Sequence, residues 1–326
     1  MTVRCARLRL CVASVLVAGA ISACAATPQT TGAPPSEDAM AAAAAGAAAA
    51  PTTINFDKVP SIRAAFFYPW FPETWAAPNG GTYTNYTPTA GLYDSGLLST
   101  MARQVDELVY ARVDVAISSW WGPGTPTASR FEKILTTTTT KRVQWAIYYE
   151  REGYGNPSSA EIVNDLRPLV TAHATNSRLF RLGGQFVVFV YAGPNDNCAM
   201  ATRWVSAANE LGIYVVLKVF GGYRQCASQP DAWHQYAPAV ATDAQLPWSY
   251  SVSPGFWLYG EGVRLARDPA AFRRNVESMV AAKPKFQLIT TFNEWGEGTS
   301  VEPAQQWPSP SGKGVYLDIL HDIPPR

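Results

Sequence analysis

Two glutamates near the C-terminus, Glu294 and Glu297, lie three residues apart after an apolar, β-branched run that begins at Phe286. Side chains of a strand alternate between its two faces, so positions three residues apart point to opposite sides. The two carboxylates can therefore converge only where the strand has ended and the chain turns. Gly296 and Gly298 permit such a turn, because glycine enters backbone regions that are closed to other residues.

Paired carboxylates at the end of a strand suit general acid and base chemistry on a sugar. Asn293 and Trp295 flank the pair and offer an amide and a flat apolar surface. The alternative interpretation is a solvated, glutamate-rich loop, because short motifs also arise by chance. We therefore treat Glu294 and Glu297 as catalytic candidates and Asn293 and Trp295 as substrate-binding candidates.

Residues 1–23 have the features of an export signal. Three arginines precede an apolar segment at residues 10–21, which is too short to span a bilayer. That segment runs into Ile-Ser-Ala-Cys24, which resembles a bacterial lipobox and implies cleavage before Cys24 with lipid attached to its sulfur. The alternative is an ordinary secretory signal with an incidental cysteine. Both interpretations place the protein outside the cytoplasm, and the first attaches it to a membrane.

Residues 24–55 are rich in alanine, threonine, proline and serine, with an alanine run at 41–50 that only one glycine interrupts. We interpret this segment as a tether between a lipid anchor and the folded body. Residues 56–326 then form one large domain, which we expect to be monomeric. The formal net charge of +1 and the absence of a basic block give no indication of nucleic-acid binding.

Five cysteines are present, and their positions suggest different fates. Cys5 and Cys11 would be removed with the signal, and Cys24 would carry lipid. Cys198 and Cys226 then remain as the one pair in an oxidising compartment, which favours a disulfide over two free thiols. The cysteines and histidines do not have the spacing of a zinc site, and we expect no metal or other cofactor.

Short apolar strands alternate with amphipathic segments along the folded body. The predicted strands are residues 63–68, 114–119, 143–149, 185–191, 213–220, 240–243, 249–253 and 286–292. The predicted helices are residues 95–110, 159–174, 199–211 and 269–282. Eight strands alternating with helices predict an α/β fold, a (β/α)8 TIM-type barrel in a single domain. A doubly wound open sheet is the alternative, but no glycine-rich phosphate motif follows the first strand.

The active site of such a barrel lies where its strands end. Aromatic and polar residues gather at these ends, and tryptophan and tyrosine combine a flat apolar face with a polar tip that suits carbohydrate. The substrate-binding candidates at the strand ends are Tyr68, Trp70, Trp120, Trp121, Tyr148, Glu150 and Tyr191. For the tryptophans and for Tyr68, a place in the core is an equal alternative.

Three segments carry a resemblance to a known family: residues 114–124, 292–299 and the opening 67–70. Together they resemble glycoside hydrolase family 99 and its relatives in the 71/99-like superfamily. Characterised members are endo-α-mannosidases and endo-α-mannanases. The resemblance extends over about residues 62–320, and its most specific part is the Asn-Glu-Trp-x-Glu-Gly turn.

The resemblance implies a retaining barrel hydrolase that needs no metal. In that pattern Glu294 acts as a base on the 2-hydroxyl of the substrate, so that O2 attacks the anomeric carbon. Glu297 protonates the leaving oxygen and later activates water. Glu150 matches a glutamate that contacts sugar hydroxyls, and Trp120 or Trp121 would stack on a ring. The residues alone predict only an ordinary nucleophile and acid.

The sequence also departs from the family pattern. A histidine often stands between the tryptophan and the second glutamate, where this chain has Gly296. A His-x-Glu of the third strand corresponds to Tyr148-Tyr149-Glu150 here. These positions contact substrate, so the sugar specificity stays open. We expect a surface-tethered, endo-acting glycoside hydrolase on an α-linked polysaccharide; the alternatives are a non-catalytic carbohydrate-binding lipoprotein, an envelope assembly factor or a polysaccharide-biosynthesis relative.

Overall fold

The computed structural model describes residues 55–78, 80–137 and 142–325. The predicted signal at 1–23, the lipidation site Cys24 and residues 24–54 of the predicted tether lie outside the described residues. The structure therefore bears on the folded body alone.

The strands and helices of the described residues alternate over most of their length. The strands are β1 Ile62–Phe67, β2 Val115–Trp120, β3 Gln144–Tyr149, β4 Arg181–Leu182, β5 Gln185–Val190, β6 Tyr214–Lys218, β7 Ala232–His234, β8 Thr242–Gln245, β9 Ser249–Val252, β10 Phe256–Leu258, β11 Gly262–Leu265 and β12 Phe286–Ile289. The helices are α1 Leu98–Tyr110, α2 Pro126–Thr136, α3 Glu152–Gly155, α4 Ser159–Ala172, α5 Cys198–Leu211, α6 Pro269–Ala282 and α7 Val315–Asp322.

Eight strands form a parallel sheet in the order β7, β6, β5, β3, β2, β1, β12 and β9. Side chains bridge the two ends of this order: the Ser251 hydroxyl donates to the carbonyl of Gln235, and the Ser253 hydroxyl donates to Pro238 at 2.7 Å. The sheet thereby curls into a nearly closed barrel. The predicted TIM-type α/β fold is confirmed.

Alternate residues of each strand face the barrel interior and the surrounding helices. Phe66 and Tyr148 point inward, where their ring centroids lie 4.8 Å apart. Tyr149 points outward and packs against Trp204 of α5 at 5.0 Å. Both faces of a strand are therefore buried, and β1 and β2 are buried at every residue. This double burial explains the continuous apolar runs in the sequence.

The strand predicted at 240–243 is not the sixth strand of the barrel. The sixth barrel strand is β7, which has only three residues and so leaves no recognisable apolar run. Residues 242–245 instead form β8, which pairs antiparallel with β9 at the edge of the sheet. The hairpin of β10 and β11 was not predicted either. The other seven predicted strands overlap barrel strands, with ends that differ by at most three residues.

The four predicted helices correspond to α1, α4, α5 and α6, whereas α2, the single-turn α3 and α7 were missed. The helix starts follow from capping chemistry: Asp268 accepts hydrogen bonds from the first turn of α6, and Pro269 stands at its first position. A disulfide joins Cys198, the first residue of α5, to Cys226 in the segment after β6. No helix among the described residues is long and apolar enough to cross a membrane.

Candidate active site

The chain turns directly after β12, at the carboxyl end of the barrel. Gly298 donates its N–H to the carbonyl of Trp295 at 3.1 Å and has a φ of +58°. Thr299 donates to the carbonyl of Glu294 at 3.2 Å, and the Glu294 N–H is held by the Thr291 hydroxyl at 2.8 Å. These bonds fold residues 293–299 into a tight turn that carries both glutamates.

Aromatic side chains pack against the two glycines of this turn, Gly296 and Gly298. A Cβ added at Gly296 would lie 2.8 Å from Cδ1 of Tyr83, and one at Gly298 would lie 3.0 Å from Cβ of Trp257. Real Cβ atoms essentially never approach as closely as the contact at Gly296, and the contact at Gly298 is tighter than most, so a larger residue at either position would push its aromatic neighbour aside. The aromatic residues thus pack directly on the backbone between and after the glutamates.

Glu294 is almost completely buried, with 5 % of its surface exposed. Burial raises its pKa well above the usual value, and the nearby charges of Glu297 and Glu150 raise it further. Hydrogen bonds from the backbone of the turn lower this pKa, but their effect is smaller. Its Oε2 has no hydrogen-bond partner among the described residues. This environment favours the protonated form of Glu294.

Glu297 is half-buried and faces the same site. Burial raises its pKa to about 7, although a hydrogen bond from Tyr236 and the charge of Arg264 oppose this rise. The Tyr236 hydroxyl lies 3.3 Å from Oε2 of Glu297. A carboxyl that exchanges its proton near pH 7 is suited to act as a general acid and then as a base.

Glu150 follows β3 and supplies a third carboxylate to the site. It is buried, and burial raises its pKa to about 8; a hydrogen bond from Ser119 lowers the value, and the charge of Glu297 raises it. Its Oε1 has no hydrogen-bond partner within the described part of the chain. The three glutamates therefore lie close enough for the charge of one to raise the pKa of another.

Tyrosines of the barrel interior lie beneath these carboxylates. Tyr68, Tyr148 and Tyr236 are buried, and the Tyr148 hydroxyl lies 3.3 Å from Nε2 of His234. Burial, followed by the charges of nearby glutamates, raises the pKa of Tyr68 well above its usual value. Each phenol thus keeps its proton and can serve as a hydrogen-bond donor.

Half-buried and exposed aromatic residues form a rim surface at the ends of β1, β2, β3 and β5. It consists of Trp70, Trp121, Tyr154 and Tyr191. The rings of Trp121 and Tyr154 lie 5.0 Å apart, and those of Tyr154 and Tyr191 lie 6.0 Å apart. Tyr154 is 66 % exposed, and with these neighbours it forms a contiguous, partly exposed aromatic surface, a feature typical of binding sites. The rim surface is therefore available to a ligand.

Trp120 is not part of the rim surface. It is 3 % exposed and points outward from the barrel, with its ring 5.7 Å from that of Tyr149 in the helix-facing core. Neighbouring strand residues face opposite sides, so Trp121 meets the site and Trp120 does not. The structure thus places Trp120, a predicted substrate contact, in the helix-facing core and Trp121 at the rim surface.

Asn293 and Trp295 are fully buried, so the structure does not place them as substrate contacts. The Asn293 amide clamps the backbone of Tyr68: its Oδ1 accepts the N–H at 2.7 Å, and its Nδ2 donates to the carbonyl at 3.0 Å. Trp295 donates its indole N–H to Glu302 at 3.0 Å. Both residues hold the turn in place from behind.

A buried polar network supports Trp295. Glu302 accepts hydrogen bonds from the Tyr93 hydroxyl at 2.6 Å, from Arg103 at 2.9 Å and from Gln104 at 3.1 Å. The shared hydrogen bonds fix the orientation of the indole, and with it the backbone between Glu294 and Glu297.

Arg267 supports the other end of the turn. Its guanidinium donates to the carbonyls of Gly298 at 2.8 Å and Ser300 at 2.6 Å. It also lies 3.9 Å from the ring centroid of Trp307. A planar cation that binds two carbonyls and an aromatic face restrains this backbone strongly. Neither Arg267 nor Glu302 has a spacing that would have identified it from the sequence.

Three residues near the glutamates could not be found from the sequence: Tyr83, Tyr236 and Tyr259. Tyr236 was missed because it follows β7, the strand that was not predicted. The others lie in the loop after β1 and in the β10–β11 hairpin, and only the tertiary fold brings them to the turn. In residues 55–78, 80–137 and 142–325, no group of three or more His, Cys, Asp or Glu side chains is arranged to hold a metal ion.

Comparisons with known proteins identify similar folds. No protein-family model matches the sequence, and no curated protein matches it. Among solved structures, the GH99 endo-α-mannosidase from Bacteroides thetaiotaomicron is 17 % identical, with a TM-score of 0.62 over 79 % of this chain and 95 % of the other. The same enzyme in complex with bis-tris propane is 18 % identical, with a TM-score of 0.64 over 80 % and 95 %.

A protein described as glycoside hydrolase-like is 15 % identical, with a TM-score of 0.57 over 85 % of this chain and 96 % of the other. At these identities the similarity establishes a shared fold. The barrel expected from the sequence resemblance is thus the barrel that these solved structures have, over nearly their whole length.

Proposed function

We propose that this protein is a retaining glycoside hydrolase that cleaves an α-linked polysaccharide or glycan within its chain. One observation carries the proposal: the buried carboxyl of Glu294 and the half-buried carboxyl of Glu297 interact in one turn at the carboxyl end of a barrel, and partial burial raises the pKa of Glu297 to about 7. Two interacting carboxyls with raised pKa values can share one proton, as acid and base catalysis on a glycosidic bond requires. The fold shared with the GH99 endo-α-mannosidase supports the same chemistry.

We assign Glu294 the role of base and Glu297 the role of acid. Glu294 accepts the proton of the sugar 2-hydroxyl while O2 forms a bond to the anomeric carbon, and Glu297 protonates the departing oxygen. Glu297 then takes a proton from water, whose oxygen bonds to the anomeric carbon as the bond between O2 and that carbon breaks, and O2 recovers its proton from Glu294. A 2-hydroxyl that donates to Glu294 favours its charged form, and so moves the shared proton to Glu297 when substrate binds.

The substrate is proposed to contain α-linked mannose, by analogy with the endo-α-mannosidase of the same fold. Glu150 and Tyr148 would bind sugar hydroxyls, and the rim surface around Trp121 would stack on a ring. Export and attachment to a membrane through Cys24 are also proposed, and the N-terminal sequence supports them. The expected partners are thus a glycan and a membrane, with the protein acting as a monomer.

A panel of polysaccharides tests the proposal. The purified protein is incubated with α-mannans, α-glucans and envelope polysaccharides, beside the Glu297→Gln variant. Oligosaccharides released by the wild type alone support the hydrolase and identify its substrate. Tight binding to one polymer, without release from any, would instead favour the non-catalytic carbohydrate-binding lipoprotein.

A further inference from the structure

The turn that carries Glu294 and Glu297 has aromatic residues on the side away from the rim surface as well. The rim surface lies at the ends of β1, β2, β3 and β5, which follow one another on one side of β12. On the other side of β12, after β9, the β10–β11 hairpin brings Trp257 and Tyr259 to the turn. Tyr83, from the loop after β1, meets this hairpin: its ring stacks on that of Tyr259 with centroids 5.2 Å apart.

The position of Tyr83 is fixed by the turn itself. Its ring rests on Gly296, so closely that a Cβ there would lie 2.8 Å from the ring and 3.1 Å from Oε1 of Glu294. Its backbone N–H donates to the carbonyl of Trp75 at 2.7 Å, which anchors the loop. Burial, and then the charges of Glu294 and Glu297, raise the pKa of Tyr83, which is the electrostatic sign of a phenol facing the carboxylates.

The hairpin is held to the same turn. The N–H of Trp257 donates to the carbonyl of Glu297 at 2.9 Å, and the Trp257 ring lies 6.2 Å from that of Tyr259. Tyr83, Trp257 and Tyr259 are all half-buried, unlike the tyrosines of the barrel interior. Partly exposed aromatic faces that adjoin a catalytic candidate suit a sugar ring, which stacks on the face and bonds to the polar tip.

We propose that Tyr83 and Tyr259 form a second carbohydrate-binding subsite, which takes a sugar ring on the opposite side of the cleaved bond from the rim surface around Trp121. The proposal rests on the proposed function, because it concerns the glycan of the same site. A chain held on both sides of Glu294 and Glu297 is cut internally, so this subsite gives an endo-acting enzyme a structural basis. It also explains why residue 296 is a glycine, because a larger residue there would displace the ring of Tyr83.

Binding to an inactive protein tests the subsite independently of cleavage. Full-length protein carrying Glu297→Gln is run through native gels that contain α-mannan, dextran or no polymer, and retardation gives the Kd. We expect Tyr83→Ala and Tyr259→Ala each to weaken binding about tenfold, which is 1.4 kcal/mol. Tyr83→Phe keeps the ring and is expected to bind within about twofold of the parent. Tyr214→Ala, at the opposite end of the barrel, serves as the matched control.

The outcomes separate the subsite from the proposed function. If Trp121→Ala weakens binding but neither Tyr83→Ala nor Tyr259→Ala does, the subsite is refuted and the hydrolase stands. If the wild type neither binds nor cleaves any polymer in the panel, the proposed function fails, and the subsite fails with it. Circular dichroism identifies variants that do not fold; Tyr259→Ala, on the hairpin, then decides the question if Tyr83→Ala is lost.

Discussion

Replacing Glu297 by glutamine is expected to stabilise the folded protein at alkaline pH, although it removes a proposed catalytic group. The physical reason is that burial raises the pKa of Glu297 from 4.5 to about 7. Between these values the folded state still binds a proton that the unfolded state has released. The free energy of unfolding therefore falls as the pH rises from about 4.5 to about 7, and the full cost remains above pH 7.

The magnitude follows from the two pKa values. At 1.36 kcal/mol for each pH unit between them, the cost of ionising Glu297 in the folded protein is about 3 kcal/mol above pH 7. Glutamine has nearly the same shape and does not ionise, so the variant escapes this cost. For a domain of this size, about 2 °C for each kcal/mol gives a rise in thermal midpoint of roughly 6 °C at pH 8.

Thermal unfolding of wild type and Glu297→Gln, followed by circular dichroism from pH 4.5 to pH 8, measures the effect. The gap between the two midpoints should be near zero at pH 4.5 and should open as the pH rises. Glu277→Gln is the matched control, because Glu277 is exposed on α6 and its replacement removes the same formal charge. A gap that is absent at pH 8, or equal at both pH values, would refute the reasoning.

Three further predictions concern the site and its supports. kcat/KM should rise as the pH passes about 7, where the free enzyme loses one of the two protons of the Glu294–Glu297 pair and reaches the singly protonated state that the proposed chemistry uses; initial rates from pH 5 to pH 9 check this, and a rate that falls through pH 7 or stays flat to pH 9 would contradict these roles. Glu302→Ala should lower the free energy of unfolding by about 3 kcal/mol in urea titrations, because it leaves Arg103 partly uncompensated, and a loss below about 1 kcal/mol would show that the network contributes little. Cys198→Ser should cost about 3–4 kcal/mol, since the bond to Cys226 closes a loop of 28 residues, and the reduced wild type should unfold like the variant.

Much of the barrel was predictable because its strands are buried on both faces and therefore appear as apolar runs. β1 and β5 are of this kind, and their ends were predicted within one residue. β7 escaped because three residues carry almost no pattern, and β8 was mistaken for it because it is a genuine strand in the wrong place. Local sequence records that a strand exists but not which neighbour it pairs with.

The site was predictable only in part, for a related reason. The turn with Glu294 and Glu297 could be found because its glycines and carboxylates adjoin one another in sequence. When both faces of a strand are apolar, the pattern does not tell which face is the interior, so Trp120 and Trp121 could not be separated. Tyr83 and Tyr259 come to the turn from distant segments, and no spacing in the sequence encodes that meeting.

The most direct test of the central claim is the activity of the two glutamate variants on the polysaccharide that the panel identifies. Reducing ends released by the wild type, Glu294→Gln, Glu297→Gln and the control Glu277→Gln would be counted under identical conditions. The proposed chemistry predicts that each active-site variant loses at least about 10³-fold in kcat/KM while remaining folded, and that the control is unchanged. Full activity in both folded active-site variants would contradict the assignment of Glu294 and Glu297 as the catalytic pair.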